Sequence, residues 1–284
     1  PELYKLNNEY KVIEVAYILK KVNTKLKGRH MNQFRTKAFI FAFTSIAASS
    51  VMAQSTKTNP WEGADVSVSA GYAQFTPKVG AVTTSALTFP TPYGNTTASS
   101  GTATSQANNL NTGTANISAG YNWGINSDYV LGIRATYYPS ASSSASGSFA
   151  ISTAATASPI PAPAGTYLTT SPIQYNIKNL YSIVLTPGYS LDKQRLIYAK
   201  VGYTGATIGI NGPTLAYSTV GLSGYSLGLG YKQMISESIY MLGEFNYAGY
   251  SNTSATLTNT SGVRLTGTFG GSGIDFLVGL GYRF

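Results

Sequence analysis

The chain has no cysteine, one histidine (His30) and only 10% charged residues across 284 positions. Without cysteine there is no disulfide framework to hold an exported fold and no Cys/His metal set. A lone histidine leaves the abundant serines without a general base or relay. Asp and Glu, ten in all, are too few and too dispersed to suggest a paired acid–base site. No glycine-rich phosphate loop or dinucleotide fingerprint leads from a strand into a helix. The patterns Gly228-Leu-Gly230 and Gly279-Leu-Gly281 fit the small-residue face of strands instead. These absences leave no catalytic residue, metal or cofactor to assign.

What is present begins with a leader. Residue 1 is Pro, and the first convincing start is Met31. The Lys-rich residues 1–30 read as an upstream extension outside the mature protein. Residues 31–53 have the three parts of a signal peptide: basic Arg35 and Lys37, an apolar run at 38–48, and Val51 and Ala53 at the −3 and −1 positions of a cleavage site before Gln54. The apolar run is too short to span a bilayer as a helix. Removing 1–53 leaves ten basic and seven acidic residues, so the formal charge falls from +9 to +3. The basic character belongs mostly to the leader and gives no reason to expect nucleic acid.

From residue 54 onward the chain alternates with a period of two, as strands do. Eight spans show it: 65–75, 114–123, 129–138, 177–191, 195–207, 220–233, 238–251 and 272–284. In the last, Ile274, Phe276, Val278, Leu280, Tyr282 and Phe284 oppose Gly273, Asp275, Leu277, Gly279, Gly281 and Arg283. Gly, Ser, Thr and Asn dominate the non-apolar faces, and within the spans every charge but the strand-starting Arg195 falls on them, Lys178 included. That suits a cramped lumen better than the solvated face of a soluble sandwich. Aromatic residues gather near both strand ends, as at two membrane interfaces: Tyr121, Trp123, Tyr129, Tyr189, Tyr231 and Tyr282 at one, Tyr72, Tyr137, Tyr181, Tyr203 and Tyr247 at the other. Connections alternate between short turns (124–128, 192–194, 235–238) and long ones (76–113, 139–176, 208–219, 252–265). The Ser-, Thr- and Ala-rich tracts in 81–113 and 140–165 predict mobile, solvated loops, because each buries too little apolar surface to offset ordering.

The terminal pattern Gly279-x-x-Tyr282-x-Phe284 resembles the C-terminal assembly signal of bacterial outer-membrane barrels. It departs at Leu277, where that signal usually carries a polar residue. Across 54–284 the chain resembles the small eight-stranded outer-membrane barrels: the opacity-protein-like surface antigens and the transmembrane domain of outer-membrane protein A. The resemblance implies an all-β, eight-stranded antiparallel transmembrane β-barrel with short periplasmic turns and long extracellular loops, in a Gram-negative outer membrane. It implies a monomer in contact with the lipid bilayer and lipopolysaccharide, the barrel assembly machinery and an unknown extracellular ligand. The expected role is a non-enzymatic surface protein, structural or adhesive through its loops, with a narrow gated channel for small solutes as the alternative.

One charged constellation is expected in the lumen: Arg134, Lys200, Glu244 and Asp275. Unpaired charges there would be costly, so these should pair, with Arg134 set against Glu244. An eight-stranded barrel is just wide enough for side chains to fill, which favours a salt-bridged plug over an open pore.

Overall fold

The computed structural model describes residues 57–91, 94–98, 100–139, 143–154, 166–260 and 262–284. All lie in the second of two compact units, Ala53–Phe284. The upstream extension, the signal peptide and the Ala53–Gln54 cleavage position fall outside the described residues.

Twelve strands and no helix occur among these residues: β1 (Gly63–Thr84), β2 (Leu87–Thr91), β3 (Gly94–Ala98), β4 (Gly101–Ala107), β5 (Leu110–Gly124), β6 (Tyr129–Tyr138), β7 (Ala145–Ala154), β8 (Thr166–Ser190), β9 (Arg195–Gly212), β10 (Leu215–Met234), β11 (Ile239–Thr258) and β12 (Arg264–Arg283). Eight of them pair antiparallel in the order β1, β5, β6, β8, β9, β10, β11, β12, and β12 closes the ring on β1 from Asp65↔Arg283 upward. Closure leaves no backbone edge facing lipid, where an unpaired amide has no water to bond.

The outer face of this ring is an apolar belt. Val68, Leu229, Phe276 and Val278 are each more than half exposed. Aromatic pairs rim it on both sides. At the end bearing the short turns, Tyr121 meets Trp123 at 5.1 Å between ring centroids, Tyr129 meets Tyr189 at 5.2 Å, and Tyr282 meets Phe284 at 5.0 Å. At the other end Tyr181 meets Tyr203 at 6.2 Å and Tyr225 meets Tyr247 at 6.0 Å. This is how a barrel wall contacts a bilayer core and its two interfaces.

The strands do not stop at the upper rim. Above it a second eight-stranded ring forms in the order β1, β4, β7, β8, β9, β10, β11, β12, with β4 and β7 replacing β5 and β6. The β4–β7 ladder ends at Ala107↔Gly147 and the β5–β6 ladder ends at Ile117↔Tyr137. Ten residues separate those pairs on each side, so one hairpin register runs through both rings. The expectation of solvated loops is therefore corrected over the described parts of 81–113 and 140–165, which lie mostly in paired strands. Each long connection, with the strand residues that flank it, contributes a few apolar residues, and together they form one core: Phe75, Val82, Leu110, Phe149, Ile173, Ile208, Ile210, Val220, Leu257, Leu265 and Phe269 among others. Strands β2 and β3 form a separate two-stranded hairpin.

The polarity of the wall inverts between the rings. On β9, Ile197, Val201 and Tyr203 face outward while Lys200 and Thr204 face the lumen; higher up, Ile208 and Ile210 face inward and Asn211 outward. The side-chain alternation continues, but the chemistry changes sides. On β8 the inversion uses a bulge. Asn179 takes a left-handed conformation (φ 50°), and the β8–β9 register shifts between Lys178 and Tyr181. Ile177 then packs toward the apolar core, and Lys178 turns outward to meet the exposed Tyr217. Lys178 therefore leaves the lumen face on which strict alternation put it.

Candidate functional site

The lumen of the lower ring is filled in layers, beginning at the end with the short turns. Residues 57–62 tuck across that mouth. The Asn59 amide donates to the carbonyls of Asn126 and Ser127 at 3.1 and 2.8 Å, and its Oδ1 accepts from Ser190 Oγ at 3.2 Å. This tether places Trp61, only 1% exposed, against Tyr240 (centroids 6.0 Å apart) within an apolar layer of Val130, Leu196, Tyr198, Tyr240 and Leu242.

Above it lies an ion-pair layer. Arg134 Nη2 donates to both oxygens of Asp65 at 2.6 Å, and its Nη1 reaches Ser67 Oγ at 3.3 Å. Lys232 Nζ bonds Asp65 Oδ2 as well, with the same oxygen accepting from Tyr240 OH at 2.9 Å. The Lys232 ammonium also lies 4.6 Å from the Tyr240 ring centroid, in cation–π range. A second cluster pairs Lys200 Nζ with Glu244 Oε2 at 2.7 Å, while Tyr198 OH donates to Glu244 Oε1 at 2.5 Å.

Bare glycines let these side chains cross from strand to strand. Gly120 stands between Asp65 and Arg134 in the register, and a Cβ there would lie 3.3 Å from Asp65 Oδ1. On β10, Gly230 lies between Tyr198 and Glu244, and a Cβ on it would come within 2.2 Å of the Tyr198 ring.

Asp275 completes the polar lumen with neutral partners only. It accepts from Tyr138 OH at 3.0 Å and from Asn246 Nδ2 at 2.7 Å. It borders a cavity of about 80 Å³ together with Lys200, Thr204 and Tyr250, roofed by Phe75 and Leu110 of the upper apolar core. That is room for a few waters.

All four expected lumen residues thus enter the lumen, but Arg134 pairs with Asp65, not with Glu244. Glu244 belongs to Lys200, and Asp275 has no cation as a hydrogen-bond partner. The expectation omitted Asp65 and Lys232, the anion and second cation of the most connected cluster. Both have lumen parity within their strands, so carrying the alternation to the strand ends would have found them. Tyr138, Tyr198 and Tyr240 share the lumen parity of Arg134, Lys200 and Glu244, and they bring the phenol donors of these clusters. Of the terminal-signal residues, Tyr282 and Phe284 point outward, while a Cβ on Gly279 would point into Ser69.

The outer membrane protein beta-barrel domain family matches residues 39–284. The chain belongs to that family. Its place is the bacterial outer membrane, and the apolar belt and paired aromatic rims agree with that. None of the curated proteins matches it in sequence. Among solved structures it is similar to Ail, the attachment invasion locus protein of Yersinia pestis, at 13% identity over 78% of this chain and 98% of that one (TM-score 0.37). It is also similar to OprG from Pseudomonas aeruginosa at 9% identity, 78% and 97% coverage and a TM-score of 0.44. Neisserial surface protein A is 15% identical, with 78% and 100% coverage and a TM-score of 0.31.

Proposed function

We propose that this outer-membrane barrel is a closed, non-enzymatic surface protein that carries a rigid, mostly uncharged β-extension outward. The observation that carries this reading is the stacked filling of the lumen. The Trp61 layer, the ion-pair layer and the apolar core of the upper ring lie in series. Opening a solute path needs all three to part. The buried charges serve as structural cross-links between β1, β6 and β10, and between β9 and β11. The outer extension offers hydroxyl-rich strands to an extracellular ligand, and the last strand, with Tyr282 and Phe284 facing lipid, serves the assembly machinery.

The test is single-channel recording on the protein purified from outer membranes. The expected result is a silent bilayer. Steady openings at ordinary salt would support the narrow gated channel instead. Turnover of a lipid or peptide substrate by the same preparation would overturn the non-enzymatic reading.

A further inference from the structure

Among the described residues, Asp275 is the one lumen carboxylate without an ion pair. Asp65 holds both Arg134 and Lys232, and Glu244 holds Lys200. Asp275 takes only the neutral donors Tyr138 and Asn246. Lys200 borders the same cavity, but its ammonium lies 2.7 Å from Glu244 Oε2. At this end of the polar lumen one cation is therefore set against two carboxylates, and a negative charge is left over. An uncompensated charge out of bulk water is costly.

The second observation is an amide oxygen with nothing to bond. Asn246 stands opposite Asp275 in the β11–β12 register and is 6% exposed. Its Nδ2 donates to Asp275 Oδ1 at 2.7 Å and reaches Glu244 Oε2 at 3.5 Å, so the amide nitrogen is directed at carboxylates. That fixes which way the amide turns, since the flipped form would set its oxygen against theirs. Oδ1 is the atom left over, and it has no hydrogen-bond partner among the described residues. Asn246 and Asp275 line the cavity together with the hydroxyls of Thr204 and Ser226. A carboxylate, an amide oxygen and hydroxyls around one small space are the donor set of a hard cation.

We propose that this cavity binds one small monovalent cation, held by the Asp275 carboxylate and Asn246 Oδ1, with water completing its shell. A single positive charge balances the one left over, whereas a divalent ion would leave the opposite imbalance. The volume of about 80 Å³ admits an ion with a few waters and excludes a quaternary ammonium. The inference stands apart from the closed-lumen reading, since a silent barrel and a conducting one could both hold the ion.

The experiment unfolds the whole protein with urea in lipid vesicles, in mixtures of NaCl or KCl with choline chloride at one total ionic strength. Above the dissociation constant, the folded-to-unfolded ratio should rise about ten-fold for each decade of sodium or potassium. Choline should have no such effect. D275N should abolish the dependence. N246A, which keeps the carboxylate, should move its onset to higher salt. Equal stability in sodium, potassium and choline would mean that water or a proton satisfies Asp275, and would overturn the site. So would a cation dependence that survives in D275N, which would be a general salt effect. Heat-modified gel mobility reports whether each variant is folded. Should D275N fail to fold, N246A decides: the parental cation dependence overturns the proposal and a weakened one supports it.

Discussion

Replacing Asp65 with Asn tests the lumen at its most connected point. Asp65 is 2% exposed and holds Arg134 through two bonds, Lys232 through an ion pair and Tyr240 through a hydroxyl. The amide keeps the shape but leaves two cations in the lumen without their counter-ion. Removing one partner of a buried pair costs about 3–5 kcal/mol, mostly because the other charge remains buried. With two stranded cations the expected loss lies at the upper end, against a total stability on the order of 5–15 kcal/mol. Glu244→Gln strands only Lys200 and should cost less. Urea unfolding in lipid vesicles measures both, and Trp61 is a suitable fluorescent reporter because it packs on the same Tyr240 that bonds Asp65.

Double-mutant cycles then separate the pairing scheme from its rival. Arg134→Gln with Asp65→Asn should be strongly non-additive, by more than about 1 kcal/mol, because the two groups touch. Arg134→Gln with Glu244→Gln should be closer to additive. An Asp65→Asn loss below about 1 kcal/mol, or a larger coupling of Arg134 to Glu244 than to Asp65, would refute the arrangement described above.

Three further outcomes are expected. Gly230→Ala should destabilise by roughly 1–3 kcal/mol, since its Cβ meets the buried Tyr198 ring at 2.2 Å; Gly221→Ala, with nothing within 4 Å, is the control in the same unfolding assay. Leu229→Lys, on the lipid face and 66% exposed, should lose about 2–4 kcal/mol in vesicles, the cost of a lysine facing the bilayer core. Phe284→Asp should reduce outer-membrane levels on fractionation, because it puts a charge beside Tyr282 on the outward face of the closing strand; parental levels would show that the terminal aromatic plays no part in assembly.

How far the sequence was legible depends on the height along the barrel. In the lower ring, lipid outside and packed polar side chains inside give opposite chemistries to alternate residues, so Ile274, Phe276 and Val278 against Asp275 and Gly279 identify a strand without further help. The family match and the ring order agree with that reading. Pairing was less legible, because it depends on which strand faces which across the lumen and on where a glycine opens a path. Arg134 reaches Asp65 over Gly120, and alternation within a single strand contains no such information.

The upper ring was missed for a different reason, and that reason explains why it exists. Once the wall leaves the bilayer, its outside meets water, so the hydrophobic effect reverses the preferred placement of apolar groups. Thr256, Thr266 and Asn211 now suit the exterior, and Leu257, Leu265 and Ile210 the interior. A strand crossing from one solvent to the other must exchange the chemistry of its two faces. On β9 this happens by composition between Tyr203 and Ile208; on β8 it happens by the bulge at Asn179. Either way the period-two pattern loses its phase at the rim, and a sequence reading sees a loop begin. The same reversal supplies the energy of the extension. A lower ring packed with polar groups gains little from burying them, whereas the pooled residues of the upper core, each fully buried side chain contributing about 1.5–3 kcal/mol, provide the drive to order tracts that no single loop could order alone.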